Sequence, residues 1–223
     1  SLDRRIAAVL DHGQYVLGPE VAEVESRLAE FCTVKHCVAC SSGTDALCIA
    51  MMAYGVGPGD AVVVPAFTFV AAAEVARVLG VTPVFVDIDP RTFNIDPDRI
   101  APALDSLPDS LKPRGIVAVD LFGLAADYER INALAAERGL FVIEDAAQSL
   151  GGTRDGSPNC SHAPVGATSF YPAKPLGCYG EGGALFTNDD TLAAQFRSTL
   201  FHGKGDSAYD HVRLGINGRL QTI

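Results

Sequence analysis

The sequence predicts an α/β protein built around a mostly parallel sheet. From residue 62 onward, short runs rich in Val, Ile and Phe alternate with helical patterns, as expected for repeated β/α units. These runs are hydrophobic almost throughout, which is typical of parallel strands buried on both faces. No apolar run approaches the roughly 20 residues of a membrane-spanning helix. A single domain is the simplest interpretation of the 223 residues.

Seven strands and five helices follow from these patterns. The candidate strands, in chain order, are VKHCVAC, AVVVP, TPVFVDI, GIVAVDL, LFVIEDA, ATSFYP and GALFTN. The candidate helices cover roughly residues 20–32, 43–54, 69–80, 127–138 and 189–200. The stretch DSLPDSLKPRG at 105–115 is loop-like but too short to link two domains. Ligands of such sheets bind beyond the carboxyl ends of the strands, so the residues after each strand are the candidates for a site.

Composition and charge exclude several classes of function. The net charge of -10 disfavours a nucleic-acid surface or an anionic membrane as partner. Six cysteines, four of them in apparent core segments, do not resemble a disulfide framework, so a reducing cytoplasm is expected. Cys37 and Cys40 with His36 suggest a metal knuckle, but no second pair follows at zinc-site spacing. We therefore expect no metal.

The segment SSGTDAL at 41–47 is a candidate anion site. It follows a strand and opens a helix, so Gly43, Thr44 and Asp45 can direct backbone N–H groups and a hydroxyl toward a phosphate. The alternative is an ordinary helix cap formed by Ser42 or Thr44. The segment lacks both GxGxxG spacing and a GKS/T ending, which disfavours an NAD-dependent oxidoreductase or a P-loop.

The segment EDAAQS places Asp145 at the end of a strand, where its carboxylate is partly desolvated unless a cation pairs with it. A protonated pyridine nitrogen is such a cation, and that pairing supports the electron-sink role of pyridoxal phosphate (PLP). Gln148 could then donate a hydrogen bond to the phenolate oxygen of the ring. A helix cap or a structural ion pair is the alternative for Asp145.

Lys174 is the candidate nucleophile. It lies in SFYPAKPLGCYGEGG among apolar and small residues, and desolvation would lower the pKa of its amine and favour a Schiff base with PLP. Phe69, in PAFTF, could stack on the pyridine ring, although a core phenylalanine is the alternative. Positive φ angles and close backbone approach would explain the loop glycines, Gly177, Gly180, Gly182 and Gly183.

Taken together and in this order, SGTDAL, PAFTF, EDAAQS, SFYPAKPLGCYGEGG and GINGRL resemble the DegT/DnrJ/EryC1/StrS family of nucleotide-sugar aminotransferases. The resemblance covers nearly the whole chain. It implies a three-layer, mostly parallel seven-stranded sheet of PLP-dependent fold type I, with residues 1–223 forming the PLP-binding large domain and its N-terminal helical arm. It also implies a small C-terminal domain beyond NGRL, which is largely missing from this sequence.

The resemblance assigns a role to each site residue. Lys174 would bind PLP, Asp145 would face the pyridine nitrogen, Gln148 would contact the phenolate oxygen and Phe69 would stack on the ring. The remaining cofactor contacts would come from residues near the phosphate, Gly43, Thr44, Asp45 and Ser169. Asn217 would reach the phosphate in the neighbouring subunit of a homodimer with shared active sites.

The implied reaction moves an amino group from L-glutamate through PLP to a keto sugar linked to a nucleoside diphosphate. Within the family, the motifs resemble most the enzymes that act on UDP-linked acetamido sugars, including the 3-oxo-glucuronate type, for surface polysaccharide or glycan biosynthesis. Some relatives with histidine in place of the lysine are dehydratases, so Lys174 favours transamination. A PLP-binding regulator or a catalytically silent homologue is the alternative.

Overall fold

The computed structural model describes residues 1–207 and 209–223 and contains a seven-stranded sheet with helices on both faces. The strands are β1 (His36–Cys40), β2 (Asp60–Pro65), β3 (Thr82–Val86), β4 (Lys112–Val119), β5 (Phe141–Asp145), β6 (Thr153–Arg154), β7 (Ser157–Pro158), β8 (Val165–Ser169) and β9 (Gly183–Thr187). The sheet order is β1-β9-β8-β5-β4-β2-β3, and β6 pairs with β7 in a separate hairpin. Only β9 runs antiparallel to its neighbours in the large sheet, so the mostly parallel α/β fold is confirmed.

Seven α-helices accompany the sheet in the described residues. They are α1 (Leu2–His12), α2 (Pro19–Phe31), α3 (Gly43–Ala53), α4 (Ala71–Val78), α5 (Pro97–Asp105), α6 (Tyr128–Arg138) and α7 (Asp190–Thr199). The five predicted helices are confirmed, each with ends within two residues of the predicted ones. Within the described ranges, no helix is both long enough and apolar enough to cross a bilayer.

Helix α5 was missed by the sequence prediction, although its start carries a recognisable signal. Asp96 caps the helix by accepting a hydrogen bond from the Asp98 N–H, and Pro97 occupies the first turn, where its missing N–H costs nothing. An internal proline, Pro102, and few apolar residues obscure the pattern. Burial of Ile100 on one face holds the helix against the sheet.

The apolar strands form the centre of a three-layer structure. In β2, Val62 and Val64 are fully buried in the cluster that includes α3 and α4, whereas Val63 is buried in the cluster that includes α5 and α6. Successive side chains point to opposite faces, so a strand covered by helices on both sides needs apolar residues at every position. This arrangement leaves the strand ends as the places where polar side chains can meet.

The possible metal knuckle is divided between the two faces of β1. Cys37 packs with α2 residues, and Cys40 packs on the opposite face with α3 residues. His36 bonds instead to the Asp190 carboxylate, with its Nε2 2.6 Å from Oδ1. Strand alternation therefore prevents the three side chains from converging on one ion.

Candidate active site

The carboxyl ends of β1, β2, β4, β5 and β8 meet at one edge of the sheet, and a cavity of about 490 Å³ opens there. Its volume lies within the usual range for small-molecule sites. Seven of the nine predicted site residues line it: Gly43, Thr44, Phe69, Asp145, Gln148, Ser169 and Lys174. The topology thus brings together residues that are up to 131 positions apart, from Gly43 to Lys174.

One end of the cavity is formed by the first turn of α3. Ser42 caps this helix, since its Oγ accepts a hydrogen bond of 3.0 Å from the Asp45 N–H. The helix cap that was the alternative interpretation of SSGTDAL is therefore present, and Ser42 forms it. Thr44, the other candidate cap, lines the cavity instead. The helix dipole and the hydroxyls of this turn favour an anion at this end.

Gly43 allows α3 and β8 to approach each other closely. A Cβ atom at this position would lie 2.6 Å from the Cβ of Ser169 and 3.2 Å from its Oγ. No side chain larger than hydrogen fits there without displacing one of the two elements. The contact places the Ser169 hydroxyl beside the start of α3, where both can bind the same anion.

Two predicted site residues lie outside this cavity. The carboxylate of Asp45 accepts a hydrogen bond from the Ser41 hydroxyl and lines a neighbouring cavity with α4 residues. Asn217 is exposed, and its Oδ1 accepts hydrogen bonds from Arg219 at 2.7 and 2.9 Å. The structure therefore does not bring either side chain to the cavity within one chain.

Asp145 ends β5 and faces the cavity. Its Oδ1 accepts a hydrogen bond of 3.1 Å from the Ala147 N–H. Burial is the main reason that its pKa is raised to about 6, and the negative charge of Asp120 adds to the rise, while the Ala147 bond and Lys174 oppose it. Among the described residues, none forms an ion pair with this carboxylate. A cation bound in the cavity would supply the missing partner.

Gln148 is oriented by a contact that the sequence analysis missed. Its Oε1 accepts a hydrogen bond of 2.9 Å from the backbone N–H of Phe122, which leaves the amide N–H₂ group to donate into the cavity. Phe122 adopts a left-handed conformation with φ 58° and ψ 19° in the short 3-10 turn after β4. The Phe-Gly pair at 122–123 was the only sign of such a turn in the sequence.

Lys174 lies in a loop that is more open than predicted. The segment turns through a hydrogen bond of 2.8 Å from the Lys174 N–H to the Tyr171 carbonyl. Lys174 itself is half-buried, but Tyr171 and Tyr179 are 49% and 86% exposed, so the expected enclosure by apolar neighbours is wrong for this chain. Its amine reaches the cavity that Asp145 also lines.

The glycines of this loop are needed mainly for close packing. Only Gly180 of the four has a positive φ, so the expectation of left-handed backbone fails at the other three. A Cβ on Gly177 would lie 2.4 Å from the Pro172 carbonyl oxygen, and a Cβ on Gly183 would lie 2.5 Å from the Ser42 carbonyl. The second contact holds β9 against the start of α3.

The cavity fits a flat, anionic ring compound. The anion-binding end at α3, the Asp145 carboxylate without a cation and the Lys174 amine supply three different polar partners. Phe69, with 67% of its surface exposed, and Ala147 provide apolar lining between them. PLP carries a phosphate, a protonatable pyridine nitrogen and an aldehyde, which match these three partners.

Comparisons with known proteins identify the family. The model of the DegT/DnrJ/EryC1/StrS aminotransferase family matches residues 2–223. UDP-2-acetamido-2-deoxy-3-oxo-D-glucuronate aminotransferase of Pseudomonas aeruginosa is 52% identical over 222 residues, which are 100% of this chain and 60% of that protein. The chain therefore spans about three fifths of the length of this relative.

Solved structures share this fold, and one of them contains the cofactor PMP. The crystal structure of a DegT DnrJ EryC1 StrS aminotransferase from Brucella abortus is 55% identical, with a TM-score of 0.96 over 99% of this chain and 60% of that one. The structure of ntda from Bacillus subtilis with bound cofactor PMP is 33% identical, with a TM-score of 0.90 over 98% of this chain and 49% of that one. The chain belongs to the DegT/DnrJ/EryC1/StrS aminotransferase family.

Proposed function

We propose that residues 1–223 are the PLP-binding domain of a nucleotide-sugar aminotransferase. The observation that carries the proposal is the shared cavity, in which the Lys174 amine and the Asp145 carboxylate lie together with the anion-binding start of α3. A half-buried carboxylate without a cation is costly unless a ligand supplies one. The start of α3 supports phosphate binding at the other end.

Each residue has a distinct role in this proposal. When bound, PLP supplies an electron-accepting ring that stabilises negative charge on the carbon that exchanges the amino group. Asp145 keeps the proton on the ring nitrogen, and Lys174 provides the amine that attaches the cofactor and moves protons. Gln148 donates toward the phenolate oxygen, and Phe69 covers one face of the ring.

The phosphate contacts fall into two groups. We assign Thr44, Ser169 and the backbone at Gly43 to the phosphate within one chain, where they line the cavity. Asp45 would contribute by holding the start of α3, because its N–H donates to the Ser42 Oγ and its carboxylate accepts from the Ser41 hydroxyl. Asn217, exposed and outside this cavity, is assigned to the cofactor of the neighbouring subunit in a homodimer with shared active sites.

The substrate assignment rests on the relatives. We infer glutamate as amino donor and, as acceptor, a UDP-linked acetamido sugar with a keto group. The 52% identity to the Pseudomonas aeruginosa aminotransferase named for such a 3-oxo sugar supports this choice. Biosynthesis of a surface polysaccharide or another glycan is the corresponding role.

Covalent trapping tests the proposal directly. The protein is incubated with PLP and reduced with borohydride, and the modified peptide is identified by mass spectrometry. We expect the cofactor on Lys174, with the yellow colour of the unreduced complex bleached by glutamate. Modification of other lysines only would contradict the proposal. Colour on Lys174 that no amino donor bleaches would instead indicate a PLP-binding regulator.

A second prediction concerns the contact between α3 and β8. Gly43→Ala is expected to weaken PLP binding by about tenfold, because forcing a methyl group into this contact costs roughly 1–3 kcal/mol and displaces the phosphate-binding groups. Gly57→Ala is the matched control, since a Cβ there meets no atom within 4 Å. Fluorescence titration with PLP measures both variants, and equal affinities would contradict the assignment of this end to the phosphate.

A further inference from the structure

Two buried carboxyl groups lie behind the active site and take no direct part in it. Asp120 follows β4, Glu144 belongs to β5, and both residues are 0% exposed. Ala118, two positions before Asp120, pairs with Glu144 in the register of β4 and β5, so the two carboxyl side chains project from the same face of neighbouring segments. Neither residue lines the cavity that holds Asp145 and Lys174.

Glu144 is held by two backbone donors. The Cys160 N–H donates to Oε1 over 2.6 Å, and the His162 N–H donates to Oε2 over 2.8 Å. Cys160 adopts a left-handed φ of 74°, which turns its N–H toward this carboxyl group. Both oxygens of Glu144 are therefore fixed as acceptors.

Asp120 is held by three further neutral donors. Its Oδ1 accepts from the Ala126 N–H at 3.0 Å and from the Tyr128 hydroxyl at 2.8 Å. Its Oδ2 accepts from the Ser149 hydroxyl at 2.8 Å. The donors to both carboxyl groups are thus uncharged, and two adjacent buried carboxylates cannot both be ionised without a cation.

The surrounding charged groups do not neutralise the pair. Arg154 bonds to the carbonyl oxygens of Ala125 and Ala126 and pairs with Asp127 and Asp155. His162 is biased toward its neutral form, since burial lowers its pKa. The other titratable groups nearby are Tyr128 from α6, Cys160 beside Cys32 at the end of α2, and Lys174 and Glu181 across the cavity.

One proton and one negative charge therefore belong to the pair at neutral pH. Burial and the neighbouring charge of Asp120 raise the pKa of Glu144 to about 9, which favours Glu144 as the protonated partner. Asp120 accepts hydrogen bonds from three donors and Glu144 from two, so hydrogen bonding also favours the charge on Asp120. The charge is accordingly located on Asp120.

The pair is directly connected to Asp145. The Asp120 N–H donates to the Asp145 carbonyl oxygen over 3.0 Å, and Val119 pairs with Asp145 in the register of β4 and β5. Glu144 precedes Asp145 and points to the opposite face of the strand. We propose that the Asp120–Glu144 pair keeps one negative charge behind Asp145 and thereby strengthens the hold of Asp145 on the proton it shares with the cofactor ring.

In this view Asp120 and Glu144 are positioning residues that act through Asp145. Their effect on the ring rests on the proposed function, but their effect on Asp145 does not. The first test therefore uses the cofactor-free protein and follows the titration of Asp145 by carbon-13 NMR of labelled aspartate. Infrared spectroscopy checks that the pair holds one proton. We expect the band of a protonated carboxyl group at neutral pH, and we expect this band to disappear in Glu144→Gln.

The charge is tested by comparing two variants that share the same packing change. Glu144→Gln loses one of the two side-chain oxygens that accept from backbone N–H groups, but it leaves Asp120 ionised. The proton affinity of Asp145 is therefore expected to stay near its original value. Asp120→Asn added to Glu144→Gln removes the last charge and is expected to lower that affinity by about tenfold. Equal titration of Asp145 in the two variants would overturn the inference.

A single variant covers the case in which Glu144→Gln does not fold. Asp120→Asn keeps Oδ1 as acceptor, and the Ser149 hydroxyl can turn to accept from the new amide. If infrared spectroscopy shows that Glu144 keeps its proton in this variant, a weaker proton affinity of Asp145 is expected; if Glu144 ionises instead, the pair keeps its charge and the affinity of Asp145 is expected to stay near its original value. Either state of Glu144 combined with the opposite titration of Asp145 would overturn the inference.

A measurement on the protein with bound PLP distinguishes failure of this inference from failure of the proposed function. With nitrogen-15 in the PLP ring, the ring-nitrogen signal should move toward its protonated position in the variants that remove the charge of the pair, because a weaker proton affinity of Asp145 leaves the shared proton on the ring. Failure of the parent protein to bind PLP at Lys174 would refute the proposed function while leaving the Asp145 titration valid. Binding of PLP with an unaltered nitrogen signal in these variants would refute only the role of the pair.

Discussion

Replacing Lys174 by alanine is expected to abolish covalent trapping of PLP and to slow amino-group transfer by about 10²–10⁴-fold, the usual contribution of a positioned acid–base group. The amine is the only lysine nitrogen among the described residues that line the cavity with Asp145. Its loss leaves the phosphate end intact, so non-covalent PLP binding should persist. Single-turnover absorbance measurements with glutamate give the rate.

Two controls separate chemistry from folding in this experiment. Lys35→Ala removes a lysine that pairs with Asp190 at the surface, far from the cavity lining, and should leave the rate unchanged. A small added amine such as methylamine should restore part of the activity of Lys174→Ala, because it can replace the missing proton carrier. A rate equal to that of the parent protein would exclude Lys174 as the acid–base group.

The fold was largely predictable because its signals are local. Apolar strands such as β2, and helices with a clear cap such as α3, follow from short stretches of sequence. The rule that ligands bind beyond strand ends then predicted where Asp145 and Lys174 would meet. Helix α5 was missed because prolines at 97 and 102 mask its period, although Asp96 and Pro97 carry a start signal.

Side-chain direction and long-range contacts were less predictable. The sequence gives no indication that the carboxylate of Asp45 turns toward Ser41 and away from the cavity. It also cannot reveal that the backbone of Phe122 orients Gln148, since the two are 26 positions apart. The Asp120–Glu144 pair was not predicted for the same reason, because strand alternation alone does not show that α6 and the 160–162 loop supply its donors.

Asp145→Asn is expected to lower the rate of amino transfer by about 10²–10³-fold, the usual cost of removing one well-placed electrostatic partner. The amide oxygen can still accept the Ala147 N–H bond, so the end of β5 should keep its shape. The lost negative charge, however, no longer favours the protonated ring nitrogen. Stopped-flow absorbance with glutamate measures the loss, and circular dichroism checks the fold.

A cofactor with a permanent charge distinguishes this role from a structural one. PLP methylated at the ring nitrogen is cationic whether or not a carboxylate faces it, so it should recover a substantial part of the activity of Asp145→Asn. Methylation removes the N–H group of the ring but keeps the positive charge. The Asn side chain of the variant has no carboxylate that the methyl group would desolvate. If the methylated cofactor restores nothing although it binds, the charge on the ring is not what Asp145 maintains.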